Sequence, residues 1–324
     1  PETSLAQVID RQAEHVDELI IDTPVLGLRL LSGAGDRFGV ANLRPTQKDR
    51  LLQQLTSVEA DFVLLDVGGG TSFNVLDTFL VADFGVLVVL PEPSSVEAVY
   101  RFIKSAVIRM VRREVGRQTQ WPQVLDDTVT RLGGLPSPLE LRDALVSSAA
   151  PLADLVESAR SRLRPRLVVN RIKVRSDLEL GPAMRTVAAH RLGVALEYLG
   201  YVENDDSVGL AGRRRRPLMI ESPGAQASND IERIARRILT QQGHDRGRGS
   251  GRGIPAVEGL NHYELFEVDV GADEDEIRRA HRRLRDIYAS DSLAGYSLVD
   301  PTGGAEMLGR LQVARDTLID PKKR

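Results

Sequence analysis

Short unbroken apolar runs alternate along this chain with stretches whose apolar residues recur at helical spacing. Phe62-Val63-Leu64-Leu65, inside Asp61–Val67, reads as a strand covered on both faces, the habit of a parallel sheet. Phe84–Leu90, Arg166–Arg171 and Glu197–Val202 read as further strands, with shorter ones at Leu28–Leu31 and Leu218–Ile220. The helical pattern predicts helices over Ser4–Leu19, from Pro45 through Leu55, over Ser72–Leu80, over about Gly181–Leu192 and over Asn229–Gln241. Pro91-Glu92-Pro93-Ser94-Ser95 stops one strand and opens a long helix with an apolar face of Val96, Val99, Phe102, Ile103, Ala106, Val107 and Met110. Glu114–Arg164 reads as helices broken at Pro122, Pro136, Pro138 and Pro151, an insertion beside the sheet. Strand, helix, strand with short links is the parallel crossover unit, so the expected class is α/β, a mostly parallel sheet flanked by helices.

A change of composition divides the chain. His244–Gly253 is rich in Gly and Arg and has no apolar residue, which predicts a linker. Beyond it Ile277, Leu284 and Ile287 recur among charges, and Met307, Leu308, Leu311, Ala314, Leu318 and Ile319 form a second stripe. The expected organisation is an α/β nucleotide-binding domain over 1–242, a linker over 243–260 and a small all-α module over 261–324.

Composition narrows the function classes. With 324 residues, 42% apolar and 27% charged, the chain can form two folded domains. The net charge of −3 argues against a strongly nucleic-acid-binding protein. The absence of cysteine removes disulfides, thiolate zinc sites and cysteine-ligated iron–sulfur clusters. The five histidines show no metal spacing. No apolar run approaches the ~20 residues of a membrane span.

The candidate chemistry sits where strands end. Asp66 closes the apolar run and is followed by Gly68, Gly69 and Gly70, then by Thr71 and Ser72, either of which can cap a helix. Ligands of open α/β sheets lie outside the carboxyl ends of the strands, so Asp66 is placed for a Mg²⁺–phosphate complex that the glycines let backbone amides approach. Taken alone, the stretch is equally well a glycine-rich turn of any α/β protein. Asn170 and Arg171 stand at the end of the next strand, where Asn170 can offer a carbonyl and an NH₂ to a base edge and Arg171 can stack on the base. Taken alone, that pair is a strand end entering a turn. Arg213–Arg216 reads first as a solvated basic turn and only second as a contact for anionic lipid or nucleic acid.

In their order and spacing these pieces resemble the MinD/ParA/Mrp family of P-loop ATPases, nearest its flagellar-number, FlhG/MinD-like branch. The resemblance runs from Pro1 to about Gln242. It rests on ADFVLLDVGGG as the Walker B and switch II segment and on FGVLVVLPEPSSVEAVYRFIK as the strand–Pro–helix step. LVVNR stands as the adenine-reading strand end, and YLGYVENDDSV with RRRRPLMIESPGAQASNDIERIARRIL as the closing loop, strand and helix. The family's K-G-G-x-x-K-T and the switch I Asp are absent, and both are expected upstream of Pro1, in a piece of at least ~30 residues. The loop at Glu203 lacks the proline usual in the family.

The resemblance implies ATP and Mg²⁺ as cofactors, an ATP-dependent homodimer, and slow hydrolysis that times release from a partner or membrane. It implies that Asp66 holds Mg²⁺ through water, that Gly68–Gly70 sense the γ-phosphate, and that Asn170 and Arg171 meet the adenine. It also implies a cytoplasmic protein, with peripheral contact at the cytoplasmic membrane face left open. The chain as given, lacking the phosphate cradle, is expected to be inactive alone. The alternatives are a non-catalytic adaptor on the same scaffold, or a ParA-like DNA-partition protein.

HYELFEVDVGADEDEIRRAHRRLRDIY and LQVARDTLIDPKKR resemble the J domain of DnaJ-type proteins over His262–Arg324. The His-Pro-Asp tripeptide expected between the two long helices is replaced by Tyr288-Ala289-Ser290-Asp291-Ser292. A protein-docking module using a basic helix with Arg278, Arg279, Arg282, Arg283 and Arg285 is the expectation that follows.

Overall fold

The computed structural model describes residues 3–33, 43–116, 120–245 and 260–320. The chain forms two compact units, Pro1–Asp83 and Phe84–Arg324.

In the first unit, α1 (Ala6–Ile9) is followed by a 3₁₀ turn at Val16–Leu19, β1 (Ile21–Asp22), β2 (Arg29–Leu30), α2 (Pro45–Thr56) and α3 (Phe73–Val81). The single helix expected over Ser4–Leu19 is thus two pieces. Arg11 adopts φ 59° and the amides of Gln12 and Ala13 return to Gln7 O, which ends the helix after Ile9. The break lets Val8, Ala13, Val16 and Leu19 all face Leu51 and Leu55 of α2. The expected strand over Leu28–Leu31 is two residues long and pairs antiparallel with β1.

The larger correction concerns Asp61–Val67. This segment forms no strand. Phe62, Val63 and Leu64 are 52%, 43% and 91% exposed, so the run is not covered on two faces. Only Leu65 packs partly against the core of the unit. An apolar run becomes a parallel strand only when neighbours complete its ladder, and none of the described residues does so here. The helix after it forms as expected: Ser72, not Thr71, caps α3, its Oγ accepting the Val75 amide at 3.4 Å.

The second unit is built on a parallel sheet of β3 (Val86–Val89), β4 (Arg166–Ile172) and β5 (Glu197–Glu203), with β4 in the centre. Val88 pairs with Val168, and Val168 with Gly200. Between β3 and β4 lie α4 (Pro93–Glu114), α5 (Trp121–Arg131), α6 (Pro138–Val146) and α7 (Ala150–Arg162). Val96, Ile103, Ala106, Val107 and Val111 of α4 are fully buried, and α7 packs on α4. Pro122, Pro138 and Pro151 open the helices of this insertion rather than break them, because the first turn needs no amide from them. Ser137 and Glu140 close a capping box on α6, at 3.2 and 2.7 Å.

After β4 come a 3₁₀ turn at Arg175–Glu179, α8 (Leu180–Val187) and a π-helical turn at Ala188–Leu192 that Gly193 ends at φ 64°. α9 (Asp206–Arg213), α10 (Leu218–Glu221) and α11 (Gln226–Asp245) follow β5. The strand expected at Leu218–Ile220 is therefore a helical turn. Leu218 packs under the sheet with Leu199, Val202 and Ile234, while Met219 and Ile220 face solvent. One partly buried residue in three fits a helical turn and not an alternating strand.

The expected linker lies largely outside the described residues. The C-terminal module comprises α12 (His262–Phe266), α13 (Glu274–Ile287) and α14 (Pro301–Ile319). Its core is Leu265, Phe266, Ile277, Leu284, Leu311, Ala314 and Leu318. Asn261, Asp273 and Asp300 cap its three helices through their side chains.

Candidate functional site

The predicted site residues fall into two groups, one in each unit. In the first, Asp66 is exposed at the end of the unpaired segment, and its Oδ1 accepts the Gly68 amide at 3.2 Å. Gly68 and Gly70 take φ +68° and +101°, in the left-handed region that favours glycine. No atom lies within 4 Å of the position a Cβ would take at Gly68, Gly69 or Gly70. The turn thus offers a carboxylate beside accessible backbone amides, a donor set that suits a hydrated Mg²⁺ and a phosphate. Behind it, Lys48 of α2 and Asp77 of α3 form an ion pair, 7% and 2% exposed. That pair anchors the helix the glycines lead into.

The second group ends the central strand of the sheet. Asn170 pairs with Val202 and Ile172 with Glu203, so Arg171 is an extra residue bulged out of the ladder. Arg171 stands at φ 60°, and its amide donates to Asn170 Oδ1 at 2.9 Å. This bond assigns Oδ1 of Asn170 as the acceptor and its NH₂ as a donor. The Arg171 side chain is exposed. A half-buried amide beside a planar guanidinium suits the edge and face of a purine.

Two carboxylates that the sequence did not single out brace this rim. Asp205 Oδ1 accepts the Ser207 amide at 2.8 Å and Oδ2 the Ala227 amide at 3.2 Å, so one side chain ties the starts of α9 and α11 together. Those backbone donors hold its carboxyl below the usual range. Asp230 is fully buried; its Oδ2 accepts the Glu203 amide at 2.9 Å, and Arg233 pairs with Oδ1. Asp205 has a readable signal, an acidic cap ahead of a helix, whereas a buried acid inside α11 has none.

Of the remaining basic candidates, Arg214 and Arg216 both donate to Glu221 and hold its carboxyl low. On α13, Arg278 pairs with Glu274, Arg283 with Glu267 and Arg285 with Asp286, while Arg279 and Arg282 are exposed. His281 is 8% exposed with its ring edge-on to Phe266, a core residue. Among the described residues no His, Asp and Glu cluster could hold a metal ion by itself, and no helix is long and apolar enough to cross a membrane.

No family model matches the chain. It is 23% identical over 240 residues to the antiactivator FleN of Pseudomonas aeruginosa, covering 74% of this chain and 68% of FleN. It is 35% identical over 65 residues to the adaptation to cold protein J of Shewanella oneidensis, covering 20% of this chain and 69% of that protein. A segment spanning 20% of the chain thus belongs with the adaptation to cold protein J family, and over 74% of its length the chain is a distant relative of FleN, which supports the MinD/ParA family.

Proposed function

We propose that this chain belongs to an ATP-dependent, FlhG/MinD-like regulator of flagellar number or cellular positioning. The observation that carries the reading is the bulge at the end of β4. A left-handed Arg171 held by Asn170 is costly backbone on an exposed residue, set at the carboxyl end of a central parallel strand, where α/β folds bind ligands. The similarity to FleN over 240 residues supports the same assignment.

In this reading Asn170 donates to the adenine edge and Arg171 covers its face. Asp66 holds Mg²⁺ through water, and Gly68–Gly70 follow the γ-phosphate. Mg-ATP supplies the triphosphate and its metal; a K-G-G-x-x-K-T cradle, which this sequence does not contain, supplies the remaining phosphate contacts. The exposed run Phe62–Leu64 is then the edge on which the strand bearing that cradle pairs, with a nucleotide-dependent homodimer as the active form. The 65-residue match to the adaptation to cold protein J fits the length of the C-terminal module, which we assign as a J-like protein-docking module without chaperone stimulation, since its His-Pro-Asp is missing.

The residues encoded immediately upstream of Pro1 are the first test. An intact K-G-G-x-x-K-T supports the ATPase; a degenerate loop makes the protein a non-catalytic adaptor on the same scaffold. In a chain that includes that piece, Asp66→Ala abolishes ATP hydrolysis, and normal turnover removes Asp66 from the site.

A further inference from the structure

The C-terminal module does not stand apart from the sheet of its own unit. Tyr100 of α4, 1% exposed, donates its hydroxyl to Ala294 O at 2.6 Å. His190, presented by the π-helical turn after α8, has Nδ1 2.7 Å from the Tyr288 hydroxyl, with the two rings parallel at 6.1 Å. Thr186 of α8 donates to Glu267 at 3.0 Å, and Arg185 pairs with the same carboxylate at 3.4 Å. Arg191 Nε donates to Leu298 O at 3.2 Å.

Two features set this contact apart from a continuous core. The module's helices pack on one another, α13 and α12 each on α14, whereas the link to α4 and α8 is made by side chains reaching the ends and connections of the module. Its polar groups are satisfied across the boundary: Tyr288 is 1% and His190 6% exposed, and each supplies the other's partner. A contact carried by side-chain hydrogen bonds and an ion pair resembles a separable domain contact. The π-helical turn is a second sign, since such turns recur where a helix must present one side chain to a functional contact.

We propose that the module is a releasable cap bound in cis: its docking partner is the α4–α8 face of its own chain, and an outside protein meets the α13–α14 connection only after release. The capped helices are those that issue from the site rim. α4 leaves the carboxyl end of β3, and α8 follows the Arg171 bulge through the turn at Arg175–Glu179.

Hydrogen–deuterium exchange on the full chain tests this. In the unaltered protein, amides of 186–192 and 289–298 exchange at least ~10-fold faster than those of 167–169, because release costs less than global unfolding. Equal rates would mean the contact opens only when the chain unfolds, and the proposal falls. Glu267→Lys, which sets a cation against Arg185 and Arg283, speeds exchange at 186–192 and 289–298 while 277–287 stays protected; unchanged rates also overturn the proposal. If protection is lost through the module core as well, Tyr100→Phe decides. It lies outside the module and removes one hydroxyl, and it must speed exchange at 289–298 alone.

Discussion

Lys48 and Asp77 meet as an ion pair inside the first unit, on the two helices that flank the Asp66–Gly70 turn. Two charges held out of water stabilise little as a pair, but removing one strands the other. Lys48→Met is therefore expected to cost about 3–5 kcal/mol in urea unfolding. Lys48→Met with Asp77→Leu recovers most of that loss. A single variant within ~0.5 kcal/mol of the parent, the range of ordinary surface changes, would show the pair to be solvated in solution.

Arg171 should trade stability for binding. A non-glycine residue in the left-handed region costs ~1–2 kcal/mol that glycine avoids. Arg171→Gly is expected to stabilise the chain by ~1 kcal/mol in denaturant titration. In a nucleotide-binding form it weakens ATP at the same time. A variant that is less stable would place Arg171 in a packing role instead.

Gly181 opens α8 against β5. A Cβ there would stand 2.2 Å from the Tyr198 ring. In an open helix Gly→Ala stabilises by ~1 kcal/mol, but here overpacking reverses the sign. Gly181→Ala should destabilise by about 1–3 kcal/mol, read from the urea midpoint at constant m. A stabilised variant would mean that Tyr198 swings clear without loss.

The cap contact gives the chain an acid limb. Burial lowers the pKa of His190 from its ordinary 6.5; Glu267 opposes this and Arg310 adds to it. Tyr288, whose own pKa burial raises, stays protonated within hydrogen-bond distance of Nδ1, and the Arg191 guanidinium stands beside it. The folded state then binds fewer protons than the unfolded one. Stability is full above about pH 6.5 and falls as pH drops through the lower folded value. His281 is shifted the same way by burial and by Arg315 and Arg285, so each histidine is replaced in turn. His190→Gln, which keeps a hydrogen-bond partner for Tyr288, should flatten part of the fall in Tm between pH 7.5 and 5.5. An unchanged slope would assign the limb to other groups.

Much of the second unit was legible in the sequence because its signals are local. Val86–Val89, Arg166–Ile172 and Glu197–Glu203 are continuous apolar or β-rich runs that find partners in one another. Phe62–Leu65 carries an equally strong apolar signal, yet a run of residues cannot say whether a neighbouring strand is present. Leu218–Ile220 failed because only Leu218 packs on the core there, and three apolar residues in a row do not separate a strand from a helical turn. Among the site residues, Asn170 and Arg171 could be placed at a strand end, but the bulge depends on register with β5, a non-local property.

The most direct measurement is a calorimetric titration of Mg-ATP into this chain and into the chain extended upstream of Pro1. The account predicts binding weaker than micromolar for the first. For the extended chain it predicts binding that Asn170→Ala weakens at least tenfold, about 1.4 kcal/mol. Micromolar binding by the chain as given, or an extended chain carrying an intact K-G-G-x-x-K-T that ignores both ATP and the Asn170 substitution, would contradict it.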